Sequence, residues 1–384
     1  MSITTPTAPD ADKAARSTAR REAWTISPSG VWLVTQLELK QRIRSTKWKW
    51  ALAAAAALIG GVTFLMWAAL HSFGSDGDES TGNIVFGLVV FFVLFLGLVI
   101  SPTLSATAIN GDVRDGTMAP LQATGLSAVD IVLGKLLASW AASLAFLVVA
   151  IPFIVFSYLD GTTPALAMLV VVVVLAIELL LVCALGLGWS AVTARTPASA
   201  VLTYTTVAVL TVVLPIVFGL FSAVIQEETT VTVRQNMYYD ASAAPVGAVQ
   251  DDYGNYVACE ESTYTSNSAR TDRLWWMLAV NPYVIVADSA PSPTATNGYS
   301  EQGVLGGLKQ AVRSARLGPA TTNDYCDGPL TAEELARQDD LGSLPPVWPW
   351  GLVVQALLGA GAVALAVRRV SVPYGKLPTG SRVA

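Results

Sequence analysis

The chain has 384 residues, 53% hydrophobic and only 13% charged, with a formal net charge of −5 and a mean hydropathy of +0.53. Soluble domains carry about 25% charged residues, so an ordinary soluble enzyme or nucleic-acid-binding protein is excluded. The apolar residues fall in runs of roughly 20, the length a helix needs to cross a 30 Å hydrocarbon core, and this implies an all-α polytopic membrane protein with six transmembrane helices.

Residues 1–27 are rich in Ser, Thr, Ala and charge and read as a disordered tail. Residues 28–47 predict an amphipathic interfacial helix, with Trp32, Leu39 and Ile43 near one face and Gln36, Lys40, Arg42 and Arg44 mostly elsewhere. The plainer alternative is a basic stop signal. Trp48 and Trp50, with Lys47 and Lys49, suit the headgroup layer. The six apolar runs are Trp50 to Ala69, Ile84 to Leu104, Ile131 to Tyr158, Ala165 to Val192, Val201 to Ile225 and Val347 to Val367. With no water to satisfy the backbone, such runs are helices. The first begins too far into the chain for a signal peptide. The implied organisation is spans one to five over 48–225, an inserted domain over 226–346, span six over 347–368 and a tail over 369–384.

Basic residues stay on the cytoplasmic side. The segment through Lys49 holds nine Lys or Arg against four acids, and Arg368, Arg369, Lys376 and Arg382 follow the last span. The loop FGSDGDESTGN carries three acids and no base, and 226–346 carries sixteen acids and seven bases. Both termini are therefore expected in the cytoplasm and the 226–346 insert outside, in a bacterial plasma membrane. The apolar stretch 274–290 is short for a span and is interrupted at Asn281-Pro282. It reads as a re-entrant or interfacial element; were it to span, the basic C-terminus would lie outside.

Of the three cysteines, Cys183 falls inside span four and reads as a small core residue. Cys259 and Cys326 lie in the insert, where an oxidising space favours a disulfide closing a loop of 67 residues. The alternative is two free buried thiols. Tyr238, Tyr239, Tyr253, Tyr256, Trp275 and Trp276 read as the core of the insert in preference to a binding surface.

The loop after span two, 108–130, is the most informative stretch. Asp115 or Thr117 suits the start of a short helix and Gly125 its end; a second helix begins near Ser127, with Asp130 in its first turn, and runs through Lys135 into span three. The run DGTMAPLQATGLSAVDIVLGKLL, beginning at Asp115, resembles the signature of ABC transporter permeases of the type-2 export class, at Asp115, Gly116, Thr117, Leu121, Gly134 and Lys135. The glutamates usual in that pattern stand here as Asp112 and Asp115. The six spans, the basic surface helix and the Asn-Pro segment extend the resemblance.

The resemblance implies a permease pairing with a second permease, as a homodimer or with a related chain, each resting on a separate ATPase subunit that binds ATP and Mg. Asp112, Arg114, Asp115, Gly116, Thr117, Leu121 and Lys135 would form the coupling element. The chain has no phosphate loop of its own: Gly134-Lys135 is followed by Leu136, and position 129 is Val. No catalytic or metal-ligating constellation and no nucleic-acid patch is found, so membrane lipids and protein subunits are the expected partners. Glu178, in the middle of span four, costs at least about 2.5 kcal/mol to insert if charged. It suits a polar or cationic substrate pathway or a gating bond, or else a structural hydrogen bond to a neighbouring helix. Pro152 and Pro215 kink their spans, and Gly60, Gly61, Gly186 and Gly188 permit close helix contact. The expected function is outward movement of an amphipathic or hydrophobic cargo such as a lipid, peptide, drug or antibiotic. The alternative is a membrane sensor or immunity protein whose outer domain binds a ligand.

Overall fold

The computed structural model describes residues 24–73, 79–123, 125–161, 163–240, 242–250, 255–291, 303–326 and 343–371. The tail expected over 1–27 and that over 369–384 fall almost wholly outside them. Helix α1 (Pro28–Arg44) leads into α2 (Thr46–Phe73), and α3 (Glu79–Ser105) is followed by the short α4 (Asn110–Arg114) and α5 (Met118–Ala123). Long helices α6 (Ala128–Leu159) and α7 (Ala165–Val192) come next. A third long run has α8 (Thr196–Ala208), a π-helical turn at Val209–Val213 and α9 (Leu214–Val224); a last helix, here α13 (Trp348–Val370), closes the bundle. Among the described residues, six helical stretches are long and apolar enough to cross a membrane, and they coincide with the six runs read from the sequence.

Helices α3, α6 and α7 form the centre. Val85, Phe86, Val90 and Leu94 of α3 pack with Ile154 of α6 and Val171 and Leu175 of α7 in one buried cluster. Helix α13 lies along α7, where a Cβ on Gly188 would come within 2.6 Å of Ala362 Cβ; small residues at this contact let the backbones approach. By contrast α9 buries none of its residues, and Val201, Ile216, Leu220 and Val224 lie open. Such apolar faces belong against lipid or another protein.

The insert corrects the all-α expectation. Strands β1 (Gln226–Tyr239) and β3 (Tyr256–Ala269) pair antiparallel along their full 14 residues, with β2 (Val249–Gln250) beside β3 and β4 (Thr322–Tyr325) parallel to β1. Thr, Val and Tyr favour this pleated surface, and β1 and β3 together make a ribbon about 45 Å long. Only Val231 and Val233 of β1 are buried; of the aromatic residues expected in a core, Tyr238 and Trp276 are exposed, Tyr239, Tyr256 and Trp275 are half-buried, and Tyr253 lies outside the described residues. The ribbon stands directly on α9: Arg270 N–H donates to Ile225 O, and Arg270 pairs with both Glu227 and Asp272. Its guanidinium holds the Asp272 carboxyl below the usual carboxylate range.

The stretch 274–290 forms two short helices, α10 (Trp276–Ala279) and α11 (Pro282–Ser289), broken at Asn281 and buried from Val284 to Ala290. Neither is long enough to span. Asn281 settles a defect in the neighbouring span. Pro215 has no N–H, so the carbonyl of Thr211, four residues earlier, loses its helical donor; Asn281 Nδ2 donates to it at 3.0 Å. Asp288, 2% exposed, works in the same way on α13. Its Oδ2 accepts from the Val347 and Trp348 N–H groups at 2.6 and 3.0 Å, and its Oδ1 accepts from Arg313 Nε at 2.9 Å. Arg313 lies on α12 (Gly303–Leu317), which rests on the outer turns of α3, with Val304 against Gly87.

Cys259 and Cys326 are joined, with Cα atoms 5.8 Å apart, fastening the end of β4 to β3. The chain-entropy model assigns a loop of this length about 4 kcal/mol. Replacing both cysteines by serine is expected to make the insert sensitive to limited proteolysis while leaving the helical bundle folded. Equal protection of the two proteins would show that the sheet holds without its bridge.

Candidate functional site

At the end of the bundle that carries α1, three segments meet on one buried ammonium. Lys135, 1% exposed, donates from Nζ to Glu38 Oε1 of α1 at 2.5 Å and to Asp112 Oδ2 of α4. A buried lysine is tolerated only when paired, and here both partners keep partial solvent contact, with side chains 22% and 30% exposed. The preceding residue explains the approach: a Cβ on Gly134 would sit 2.5 Å from Val34 Cβ, so only glycine lets α1 lie this close to α6. Thr35 Oγ1 adds a hydrogen bond to Gly134 O at 3.2 Å.

Asp130 joins the starts of the same two helices. It closes a capping box with Ser127 at the start of α6. Its Oδ1 accepts from Ser27 N–H, at the start of α1, at 2.8 Å. The N-terminal helix therefore docks through Gly30, Val31, Val34 and Thr35, while Trp32, Leu33, Leu37 and Ile43 face outward.

The loop is held from its other sides as well. Asn110 is 3% exposed: its Nδ2 donates to Ser199 Oγ at 2.8 Å, its Oδ1 accepts from Ser190 Oγ at 3.1 Å, and its N–H donates to Ser190 Oγ. Gln122 Nε2 donates to Val370 O at the end of α13 at 2.9 Å. Met118 is buried, and half-buried Leu121 packs on a cluster that includes Val367 and Val370. The loop thus touches α1, α6, α7, α8 and α13. Its remaining edge is open, with one contact to the bundle, from Arg114 Nη1 to Thr196 Oγ1 at 3.4 Å. Arg114, Asp115, Gly116 and Thr117 are exposed, Arg114 Nε donates to Asp115 Oδ1 at 2.9 Å, and the turn between α4 and α5 passes through Gly116 at φ +75°. Thr117 N–H donates to Asp112 O at 2.9 Å, linking the edge to the lysine clamp.

A family model described as ABC-2 family transporter protein matches residues 32–283, about two thirds of the chain. The chain belongs to that family. It is thus a multi-pass membrane component of an ABC transporter and not itself an enzyme, and permeases of this family normally work with an ATPase subunit. No curated protein matches the chain at a significant level.

In this ABC-2 permease the seven coupling residues expected from the sequence divide into two sets. Arg114, Asp115, Gly116 and Thr117 form the exposed edge; Asp112, Leu121 and Lys135 anchor it from within. The roles of Glu38, Asn110, Asp130 and Ser199 escaped sequence reasoning, because each depends on a partner about 80 to 100 residues away in the chain, apart from Asp130 with its local box. Among the described residues no cluster of His, Cys, Asp or Glu suits a metal ion. His71 is exposed at the opposite end of the bundle, 3.4 Å from Asp160.

Glu178 is 0% exposed on α7, and neither carboxyl oxygen has a hydrogen-bond partner. Gln355 of α13 is its polar neighbour: Gln355 Nε2 donates one N–H to Val280 O at 3.0 Å and keeps a second that can face the carboxyl.

Two substitutions separate these roles. Lys135→Met leaves two carboxylates facing each other across the α1–α4 contact and is expected to lower stability by about 3 kcal/mol, measured as a drop in the thermal unfolding midpoint in detergent, whereas exposed Arg114→Ala changes it little. Glu178→Leu is expected to raise the midpoint, since neither carboxyl oxygen lies within hydrogen-bond distance of a partner and a buried unsatisfied group costs about 1–3 kcal/mol. A fall in the midpoint would mean that the carboxyl does hold a structural bond.

Proposed function

We propose that this permease is the membrane half of an ATP-driven exporter, with the lysine-clamped loop as its contact with a separate ATPase subunit. The observation that carries this reading is the exposed edge Arg114–Thr117 on a loop bonded to most of the bundle. A segment that receives a push from outside must be open on one side and rigidly connected on the other. Asp112 supplies that link, since its carbonyl receives Thr117 and its carboxylate receives Lys135. Lys135 and Leu121 then act as positioning residues, and the ATPase meets the edge alone.

The ATPase subunit binds ATP and Mg, and its closure moves the loop. Differential contact between the two nucleotide states biases the spans toward outward release. The basic residues at the α1 end support a cytoplasmic position for both termini and the loop. The Cys259–Cys326 bridge supports an oxidising, outer location for the sheet, and the buried pair α10–α11 is then a re-entrant cap on the outer side. The outward apolar face of α1 lies in the membrane surface, as an interfacial helix does. The open faces of α8 and α9 suit pairing with a second permease, a homodimer or a related chain. Glu178 borders the pathway, and the cargo is amphipathic or hydrophobic: a lipid, peptide, drug or antibiotic.

The test is ATP hydrolysis by the complex with its candidate ATPase, purified and placed in nanodiscs. Arg114→Glu with Thr117→Arg alters only exposed side chains and is expected to reduce permease-stimulated hydrolysis by about tenfold or more, as loss of a central contact does. The Lys135→Met complex is expected to retain association but lose stimulation. Wild-type hydrolysis by the edge variant would place the ATPase contact elsewhere.

A further inference from the structure

Beside the clamp, between α1, α2, α3 and α6, lies a cavity of about 530 Å³, within the roughly 300–1,000 Å³ typical of small-molecule sites. Its chemistry changes along its length. One end carries Arg42 and Lys47, with no acidic residue in its lining; the rest is walled by Trp48, Leu58, Ile100 and Phe146. Trp48 and Phe146 meet edge to face, with ring centroids 5.1 Å apart, and make a firm apolar wall.

Arg42 is half satisfied. Its Nη2 donates to Leu104 O at 3.0 Å and to Ser139 Oγ at 3.4 Å, which fixes the guanidinium plane. Its Nη1 is buried and has no hydrogen-bond partner. Buried polar groups in folded proteins are paired, and the residue that carries this unmet group also lines the cavity. A guanidinium is best matched by phosphate or carboxylate.

Depth identifies the rest of the ligand. Lys47 and Leu58 lie eleven residues apart on α2, about 17 Å along a helix axis, or roughly half of a 30 Å hydrocarbon core. The charged mouth lies at the level where Trp and Lys meet headgroups, and the apolar part has the depth of one leaflet. We infer that the cavity binds an anionic phospholipid, its phosphate received by the Arg42 guanidinium and Lys47 and one acyl chain laid along Leu58, Ile100 and Phe146. A zwitterionic lipid would bring an ammonium to a mouth whose lining has no carboxylate. Arg42 stands one helical turn beyond Glu38, so the bound lipid braces the same helix that Lys135 ties to the loop.

The site is tested by native mass spectrometry of the full chain, delipidated in detergent and titrated with dioleoyl-phosphatidylglycerol or dioleoyl-phosphatidylcholine. The phosphatidylglycerol adduct is expected to persist at about tenfold lower lipid concentration, as one charge-assisted hydrogen bond would give. Arg42→Gln and Lys47→Gln are each expected to remove that preference, and Arg42→Lys, which keeps a charge, to restore part of it. Ala54→Trp fills the apolar part without touching a charge and should weaken both lipids. Lys49→Gln, exposed and outside the lining, should change nothing. Thermal midpoints of the variants separate lost binding from lost folding. Equal retention of the two lipids, or an effect of Lys49→Gln as large as that of Lys47→Gln, would overturn the proposal, the first pointing to an unselective amphiphile pocket that cargo could share and the second to a diffuse basic surface.

Discussion

One buried ammonium organises the end of this permease that carries the loop proposed for coupling. Lys135 lies in the first turns of a candidate span, where an unpaired charge is not tolerated, and the carboxylates that satisfy it come from two other segments, Glu38 of the N-terminal helix and Asp112 of the loop. The pairing has a steric condition. Glu38 reaches Lys135 only because Gly134 lets the helix lie against α6, with Val34 where a side chain would otherwise stand. A Gly-Lys pair at this point therefore combines close approach with electrostatic closure, and neither residue suffices alone. Charge pairing of this kind is a weak source of net stability but a strong source of specific register, which is what a loop that transmits force requires.

The other end of the bundle uses the same device with neutral groups and a carboxylate. Asn281 stands at the break between α10 and α11, and its side chain serves two helices: its Oδ1 accepts from Tyr283 N–H at the start of α11, and its Nδ2 supplies the donor that Pro215 withholds from Thr211. Asp288 caps α13 from a different helix and holds Arg313 at the same time. Apolar surroundings leave no water for these groups. The break between α10 and α11 is thus a necessary part of the bundle, since the polar atoms freed there are the ones that the neighbouring spans lack.

Between the two ends the packing is uneven, and the unevenness has functional content. The centre of α3, α6 and α7 is dense, whereas α9 buries nothing. Among the described residues three buried polar groups stand apart from all of this pairing: the carboxyl of Glu178, enclosed among apolar helices, Oγ1 of Thr63, and Nη1 of Arg42, whose side chain lines a cavity. The first lies in the interior proposed for the cargo pathway and the last belongs to the residue proposed to receive an anionic lipid.

Composition and run length by themselves determined the membrane class, the number of candidate spans and their bounds, because a hydrocarbon core imposes length and apolarity on each segment independently of every other. The helix start at Ser127 and Asp130 was also legible, being local in the chain. The strands were not read, although Thr and Val alternate through 230–233, because helices elsewhere set the expectation and exposed strand faces leave a weak apolar period. Only the tertiary structure decided that Lys135 is an anchor while Arg114 and Thr117 are the open edge, that Asp130 joins two helix starts, and that Asn281 repairs the gap at Pro215. Each of these depends on which groups, distant in sequence, are left without a partner once the helices pack, and an unmet donor or acceptor exists only after the surrounding water has gone.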